Sequence, residues 1–465
     1  MIVMKFGGTS VGSAERMREV VQLVKRAANR NPVVVLSAMS GVTNALIAGA
    51  ESAASGDFNE ALRQAELIRA KHIEVINAIG GGSELVSEIE ERLSELVVAY
   101  KGIAAVGELT KRSLDVVSGF GELLSSALVT SMAQAEGLTC QWLDARKFMV
   151  TDDAFGRANP VWGELVPATR EAILPLLEKG AVVFTQGFIG STKKGVSTTL
   201  GRGGSDFSAS IMGVAIDADE IQIWTDVDGM MTADPRVVKD ARVISEVSFQ
   251  EASELAYFGA KVLHPLTIKP AVEKKIPVRI LNTFRPNEPG TLIKDAVVSE
   301  DVIRAVSSKK GITAIFISTP KMLMSYGFLA KVFAVFDKYQ TSIDTIATSE
   351  ISVALTIDQT DNLNDIVRDL SEHGDVRVSH DVAIVSVVGR QYREKSGIAG
   401  RVFDALKDVN IVMISGGASD INLSFVVEAS NADDAVRKLH AQFLSVSVVG
   451  HVTSQTADSK VHFER

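Results

Sequence analysis

Lys5, Gly7 and Gly8 form the first group of residues whose types and spacing suit a ligand. They follow the apolar run 2–4, which predicts a strand, and precede residues 13–24, whose apolar positions recur at helical spacing. Glycines let backbone N–H groups approach an anion, a helix N-terminus adds partial positive charge, and the lysine adds a full charge. The group therefore suits a phosphate, although an ordinary strand-turn-helix connection explains the glycines equally well.

The segment 198–206 carries the densest group, with three glycines around Arg202 and with Asp206 at the start of a predicted helix. Because glycines destabilise helix and strand interiors, the segment is predicted to be a loop whose amides can face an anion. Arg202 can bind a carboxylate or a phosphate through two parallel hydrogen bonds. Neither the Walker A pattern nor the dinucleotide-binding glycine pattern fits this loop, and a purely structural turn is the alternative.

Other polar residues follow predicted strands or begin predicted helices. Thr43 lies beyond the second apolar run, and Glu122 stands behind glycines at the start of an apolar helix. Thr225 and Asp226 follow the strand predicted at 221–224. Because ligands of open α/β sheets lie at the carboxyl ends of strands, these side chains can share one cleft, where carboxylates can orient a nucleotide or its Mg²⁺. Helix capping and ordinary turns are the simpler explanations for each residue alone.

Composition limits the class of protein. The chain has 465 residues, of which 46% are hydrophobic, and this is enough for about two to four domains with apolar cores. Its net charge of −9 argues against a nucleic-acid partner held by a basic surface. The single cysteine, Cys140, excludes an internal disulfide. No uninterrupted apolar stretch approaches membrane-spanning length, so we expect a cytoplasmic protein without a membrane partner.

The carboxyl-terminal third contains an internal repeat with an offset of 70 residues. The segment 327–333 matches 397–403, and the offset continues without a gap to 349–351 against 419–421. Each copy has the pattern of a strand, a loop, a helix and two strands, with an apolar stripe on the helix. Because such a short unit needs a partner sheet, we predict two α+β units side by side.

The motifs of the first 290 or so residues resemble, in order, those of the aspartate kinases of the amino-acid kinase superfamily. The matching blocks are residues 5–11, 121–122, 155–158, 201–206, 225–229, 232–236 and 259–265. Several blocks in order are far more specific than any one of them. The resemblance implies transfer of the γ-phosphoryl group of ATP, with Mg²⁺, to the β-carboxylate of L-aspartate, giving 4-phospho-L-aspartate.

The resemblance also implies roles for single residues. The implied catalytic residues are Lys5 and Asp206, and the implied aspartate-binding residues are Thr43, Glu122 and Arg202. The implied nucleotide-binding residues are Lys5, Gly7, Gly8, Thr225, Asp226, Met231, Arg236 and Lys261. Relatives often have a tyrosine near Met231, so stacking on adenine is in question here. The nucleophile is already an anion, so positioning and charge neutralisation carry the reaction without a general base.

The repeat resembles a pair of ACT domains, the amino-acid-sensing modules of this family. The implied effector-binding residues of the first copy are Met322, Ser325, Phe328, Leu329, Ser342, Ile343 and Asp344. Asp344 aligns with Ile414 of the second copy, so only the first copy offers a carboxylate to an ammonium group. An exposed aspartate at a strand end is the alternative. We expect inhibition by lysine, and whether threonine acts with it stays open.

The expected fold is α/β, with an amino-acid kinase-type open sheet sandwiched by helices, followed by two α+β ferredoxin-like ACT domains. The predicted domains are 1–294, the catalytic domain, 303–380, the first ACT domain, and 381–455, the second. We expect a homodimer or a higher homo-oligomer through the ACT domains. Two other functions stay open: a kinase of the same superfamily acting on acetylglutamate, carbamate or UMP, and an amino-acid sensor without catalysis.

Overall fold

The structure is a computed structural model that describes residues 1–258, 265–297, 302–322, 326–390, 392, 394–417 and 419–445. Up to residue 294 its strands are β1 (Ile2–Phe6), β2 (Pro32–Leu36), β3 (Cys140–Leu143), β4 (Val150–Thr151), β5 (Val182–Gln186), β6 (Ile189–Thr192), β7 (Ser197–Thr199), β8 (Glu220–Thr225), β9 (Glu246–Ser248), β10 (Val278–Asn282) and β11 (Thr291–Lys294). The helices of this part are α1 (Ala14–Arg26), α2 (Val42–Ala54), α3 (Phe58–Ile79), α4 (Ser83–Val106), α5 (Lys111–Ser118), α6 (Phe120–Ala135), α7 (Trp162–Glu178), α8 (Gly204–Ala215), α9 (Phe249–Phe258) and α10 (Lys269–Lys274).

The largest sheet has eight strands in the order β3-β5-β2-β1-β8-β10-β11-β9. β1 pairs in parallel with β2 on one side and with β8 on the other. Along the chain, the strands that follow β1 are first added to the sheet on its β2 side. Later strands, β8 and β10, are added on the opposite side of β1. The carboxyl ends of β1 and β8 therefore form the switch point at which open α/β sheets bind ligands.

Helices cover both faces of this sheet. All residues of β1 and β2 are buried. Met4 and Phe6 belong to the apolar core shared with α1 and α6, whereas Val3 belongs to the core shared with α7 and α8. Strands buried on both faces are expected to be continuously apolar, and this accounts for the sequence of the first two strands.

A long helical pair, α3 and α4, packs on the first of these faces. The two helices end and begin around glycines 80–82, and Gly80 has the left-handed backbone that favours glycine (φ +68°). Among the described residues, one run, Lys111–Ala135, is long and apolar enough to cross a membrane by length and composition. It comprises α5 and α6, and 89% of its most apolar window is buried inside the protein, as in a core helix.

The carboxyl-terminal part forms one six-stranded antiparallel sheet. Its strands are β12 (Ile303–Ser318), β13 (Ile346–Thr348), β14 (Ser352–Ile357), β15 (Asp375–Gly389), β16 (Ile411–Gly416) and β17 (Asn422–Glu428). Its helices are α11 (Phe328–Lys338), α12 (Leu363–Ser371), α13 (Ile398–Ala405) and α14 (Ala432–Phe443). The strand order is β13-β14-β12-β15-β17-β16, so β12 and β15 lie at the centre and the two copies of the repeat flank them.

The first helices of the two units begin at equivalent positions of the repeat. Gly327 and Gly397, 70 residues apart, precede α11 and α13, and both have left-handed backbones with φ of 75° and 84°. Glycine adopts this conformation without the steric penalty that a Cβ imposes, so the same residue recurs at the same place in each unit. Two α+β units side by side are therefore confirmed.

The long strands β12 and β15 are shared by both units, and this corrects one detail of the predicted division. The first segment of β12, 303–309, pairs with the end of β15, which also pairs with β17 of the second unit. The later segment, 313–318, pairs with β14 and the start of β15. The segment 303–309 thus completes the second unit rather than beginning the first, because one continuous strand can serve two units. The other predicted boundaries stay a prediction.

Candidate functional site

A cavity of about 400 Å³, here called the β1 cavity, lies beyond the carboxyl end of β1. The predicted residues that line it are Lys5, Thr43, Glu122, Arg202 and Asp206. They come from the end of β1 and from the beginnings of α2, α6 and α8. The sheet and its covering helices thus bring the implied catalytic and aspartate-binding residues to one place.

Lys5 and Asp206 form an ion pair in this cavity. Lys5 Nζ lies 2.6 Å from Asp206 Oδ1, and the two side chains are only 11% and 15% exposed. Asp206 lies in the first turn of α8, which begins at Gly204, two residues earlier than predicted, and the positive end of the helix dipole favours a carboxylate there. The pair holds the lysine ammonium at the cavity wall before any anion binds, which is the preorganisation that charge stabilisation requires.

Glu122 is a buried carboxyl group that forms no ion pair within the described part of the chain. It lies in the first turn of α6 and is 4% exposed. Burial raises the pKa of Glu122 to about 8, although backbone hydrogen bonds and the nearby Lys5 act in the opposite direction. Its Oε2 has no hydrogen-bond partner among the described residues. An ammonium group entering the cavity would satisfy this oxygen and favour the ionised carboxylate.

Arg202 stands on the glycine-rich loop at the edge of the cavity. Its side chain is exposed and forms no ion pair within the described part of the chain. Gly201 and Gly203, on either side, have φ of +79° and +70°, and a Cβ at Gly201 would meet the Gly156 carbonyl oxygen at 3.1 Å. The glycines are therefore required by the shape of the loop, and the guanidinium is available for an external carboxylate.

Asp115, which no sequence motif marks, also lines the β1 cavity. It is 2% exposed, accepts hydrogen bonds from Gly156 N–H, and accepts both the N–H and the hydroxyl of Thr199, the latter at 2.6 Å. It thereby ties the loop at 152–158 to the end of β7, just before the Arg202 loop. The sequence offers only a weak indication of this role, because Asp115 is a charged residue among the apolar neighbours Leu114, Val116 and Val117.

A second cavity of about 500 Å³, here called the β8 cavity, lies beyond the carboxyl end of β8. The predicted residues that line it are Asp226, Met231 and Arg236, while Thr225 lies at the end of the strand next to it. Arg236 pairs with Asp234 at 2.6 Å. Lys261 lies outside the described residues, so its predicted role stays a prediction.

The two glycines after β1 differ in what they can offer a phosphate. Gly7 donates its N–H to the Trp224 carbonyl oxygen at 3.2 Å, which joins the ends of β1 and β8. The prediction that Gly7 offers a free backbone donor is therefore wrong, because the parallel pairing extends past the strand. Gly8 N–H forms no hydrogen bond among the described residues. A Cβ at Gly8 would lie 2.7 Å from the Ala38 carbonyl oxygen, so this position needs glycine.

A third cavity, of about 630 Å³, lies between α9 and both units of the carboxyl-terminal sheet and is lined by Ile343 and Asp344. The Asp344 side chain is only 2% exposed, so the alternative of an exposed aspartate is wrong. Its Oδ1 accepts from Tyr257 Oη at 2.7 Å and from Lys309 Nζ at 2.7 Å. Its Oδ2 is buried without a partner among the described residues. Asp344 thus joins the first unit to the helix α9 of the catalytic part.

The other predicted effector residues are divided. Phe328 belongs to the apolar core of the first unit, and Met322 and Ile343 pack against that core. Leu329 and Ser342 are exposed. Ser325 lies outside the described residues. Met322 and Ile343 thus pack against the same apolar core, and the predicted meeting of the loop before α11 with the segment before β13 stays a prediction.

Comparisons with known proteins agree with this arrangement. Residues 1–282 match the Amino acid kinase family, and residues 385–443 match the ACT domain. Lysine-sensitive aspartokinase 3 of Escherichia coli (strain K12) is 38% identical over 449 residues, which cover 95% of this chain and 98% of that protein. The crystal structure of E. coli aspartokinase III with aspartate and ADP (R-state) matches with a TM-score of 0.85 and 38% identity, over 96% of this chain and 100% of that chain. The complex of the same enzyme with lysine and aspartate (T-state) matches over the same shares with a TM-score of 0.82.

Proposed function

Because the chain belongs to the aspartokinases of the amino acid kinase family, we propose that it transfers the γ-phosphoryl group of ATP to the β-carboxylate of L-aspartate. The products are 4-phospho-L-aspartate and ADP, and the reaction is the first step towards lysine, threonine and methionine. The observation that carries this proposal is the β1 cavity, which is lined by the Lys5–Asp206 ion pair and by the buried Glu122, whose Oε2 has no hydrogen-bond partner among the described residues.

Aspartate is held by charges of opposite sign. Glu122 binds the α-ammonium group, because its buried Oε2 lacks a partner among the described residues. Arg202 binds the α-carboxylate through its exposed guanidinium, and the hydroxyl of Thr43 adds a polar contact at the same cavity. These contacts leave the β-carboxylate free to face Lys5. A substrate without an α-ammonium group would leave Glu122 unpaired in a buried site, which is costly.

Phosphoryl transfer at this site depends on position and charge. Lys5 neutralises charge on the transferring phosphoryl group, and Asp206 holds the lysine ammonium in place. The β-carboxylate is ionised before it reacts, so the site needs no residue to remove a proton. Binding both reactants in one orientation supplies the remaining acceleration.

The nucleotide occupies the β8 cavity, with its phosphates directed towards β1. Thr225, Asp226, Met231, Arg236 and Lys261 are the proposed contacts, with Gly8 as a backbone donor. Asp228 and Asp234 of this cavity already pair with arginines, so Asp226 is the carboxylate left for Mg²⁺. Held there together with ATP, the ion would supply positive charge to the phosphates.

Lysine is the proposed allosteric inhibitor, and the first unit of the carboxyl-terminal sheet is its proposed binding unit. The crystal structure of the E. coli relative with lysine and aspartate supports this proposal. We further propose a homodimer formed through the ACT units and a cytoplasmic location. The catalytic domain is proposed at 1–294 and the two ACT units within 303–455, divided after residue 380 except that the segment 303–309 completes the second unit.

The central test is ADP release from Mg-ATP with L-aspartate, with N-acetylglutamate and UMP as alternative substrates and with lysine added in a second series. Turnover that requires aspartate and is suppressed by lysine is the expected result. Lys5→Met should lower kcat about 100- to 1,000-fold, because the charge that stabilises the transition state is lost. Lys179→Met, which changes an exposed lysine at the end of α7, should leave kcat unchanged. No turnover with aspartate would reject the proposed function.

A further inference from the structure

One wall of the β8 cavity is the edge of a strand from the carboxyl-terminal sheet. Residues 306–308 of β12 line this cavity together with residues of the catalytic part. In this segment β12 pairs with β15 on one side, whereas its pairing with β14 on the other side begins only at Thr313. No strand therefore pairs with the second edge of 306–308 among the described residues, and this edge borders the cavity.

The hydrogen-bond pattern determines which backbone groups point to the cavity. Val306 N–H donates to the Thr232 carbonyl oxygen at 2.8 Å, away from β15. In an antiparallel pair, residues that bond to the partner strand alternate with residues whose N–H and C=O point away. The register is unbroken from Ala305 to Lys309. Ser308, two residues after Val306, therefore also directs its N–H and C=O away from β15.

The partner strand agrees with this assignment. Gly389 of β15 donates its N–H to the Ile421 carbonyl oxygen, towards β17. By the same alternation, Val385, four residues earlier, also faces β17, and Val385 lies opposite Ser308. Within the described part of the chain, Ser308 N–H has no hydrogen bond to a residue outside the strands. The N–H and the C=O of Ser308 thus lie next to each other at the cavity wall, one as a donor and the other as an acceptor.

The rest of the wall suits an aromatic base. Met231, Pro235 and Leu255 supply apolar surface, and cavities for small molecules commonly combine such surface with a few placed polar groups. Adenine carries an acceptor, N1, next to a donor, the N6 amino group, and this order complements a backbone N–H beside a C=O. In the same orientation, guanine and hypoxanthine would place a donor, N1–H, against the N–H and an acceptor, O6, against the C=O, so the edge opposes them.

We propose that Ser308 recognises the adenine base through its main-chain N–H and C=O, so that a strand of the carboxyl-terminal sheet selects ATP over GTP and ITP. The inference rests on the proposed function, because it takes the β8 cavity as the nucleotide site. Recognition of the base by the strand edge also explains how the cavity can bind adenine although it has Met231 instead of an aromatic residue. The polarizable thioether of Met231 packs on the base, and the hydrogen bonds of the strand edge fix the orientation of the base.

The test uses a proline, which removes one N–H. Ser308→Pro deletes the outward N–H but keeps the bonds to β15, because proline is tolerated where the N–H points away from the ladder. It should raise the Kd of ADP about three- to tenfold and reduce the ratio of kcat/KM for ATP over GTP by a similar factor. Ser318→Ala, at the exposed far end of the same strand, is the control and should leave both values unchanged.

Base analogues test the same idea without a mutation. The unmodified protein should use ATP better than ITP or N6,N6-dimethyl-ATP, because these lack the donor at N6. Equal use of ATP, ITP and the dimethyl analogue would overturn the inference, as would a folded Ser308→Pro protein with an unchanged Kd for ADP and an unchanged ATP preference. Failure of the unmodified protein to bind ADP would instead contradict the proposed function itself. Isothermal titration calorimetry and steady-state kinetics provide these values.

Discussion

Glu122 illustrates how burial prepares a single side chain for a particular ligand. At 4% exposure its carboxyl group is poorly solvated, and burial raises its pKa to about 8. In the empty cavity near neutral pH the group is therefore mostly protonated. A bound ammonium reverses this balance, because an opposite charge in direct contact favours the ionised form. In the proposed function, an N-acetylated amino acid would leave Glu122 without a charged partner, and this cost would favour the free amino acid.

The first prediction concerns the pH dependence of aspartate binding. Because the ammonium pairs with ionised Glu122, KM for aspartate should fall as the pH rises towards the pKa of about 8, by up to about tenfold per pH unit. Glu122→Gln should raise this KM and abolish its dependence on pH in that range. Steady-state kinetics from about pH 6 to about pH 9 measure both effects. A flat profile for the unmodified protein would contradict the assignment.

At the scale of elements, strand β12 connects two separate sites, the β8 cavity and the third cavity, which is lined by Asp344. Its residues 306–308 line the β8 cavity, and the next residue, Lys309, binds Asp344 at 2.7 Å. Lys309 Nζ also lies 2.8 Å from Asp358. An amino acid whose ammonium group binds Asp344 must compete with Lys309. The competition would act directly on the strand that forms a wall of the β8 cavity.

The second prediction follows from this competition. Lys309→Met should let lysine bind more tightly, by about threefold or more, because Asp344 loses its internal cation. Saturating lysine should nevertheless inhibit less than in the unmodified protein, because β12 no longer responds to the ligand. Lys310→Met, on the next residue and half exposed, is the matched control and should keep normal inhibition. Calorimetry for lysine binding and the ADP-release assay separate the two effects. Unchanged inhibition in Lys309→Met would contradict the coupling.

For the whole molecule, the catalytic part and the carboxyl-terminal sheet are joined at several separate places. Thr232 Oγ1 and His440 Nε2 lie 3.0 Å apart, and Asn422 donates to Glu254 at 2.7 Å. The apolar core of the second unit also takes in Ala233 and Val238 from the catalytic part. These contacts extend from the β8 cavity to α9. The sheet is therefore a structural part of the kinase and can influence its site by a small displacement.

The third prediction concerns association between chains. Leu329 and Phe333 lie one turn apart on α11 and are 37% and 42% exposed, which leaves an apolar strip on the first unit. Sedimentation should give twice the chain mass for the unmodified protein. The double change Leu329→Glu and Phe333→Glu should give the chain mass, because buried charges destabilise an apolar contact. Leu67→Glu, on an exposed leucine of α3, should leave the mass unchanged. A double variant that stays dimeric would place the contact elsewhere.

The sequence by itself determined which segments carry the chemistry and how the sheet would present them. The residue motifs, through their resemblance to the aspartate kinases, implied that Lys5, Glu122, Arg202 and Asp206 share one site, and all four line the β1 cavity. The repeat of 70 residues likewise predicted two units. These predictions succeed because periodicity and the backbone freedom of glycine act between neighbours in the chain.

The tertiary structure alone decided how the groups are partnered. Nothing local to Asp115 indicates that it accepts bonds from Thr199, 84 residues away. The bond of Gly7 to Trp224, the burial of Asp344 and the place of Ser308 beside the β8 cavity depend likewise on distant segments. Packing between distant segments determines which polar groups are removed from water and which group each of them bonds to. The sequence around a residue does not indicate either outcome. For this reason the residues of the site could be predicted, whereas its connection to the carboxyl-terminal sheet could not.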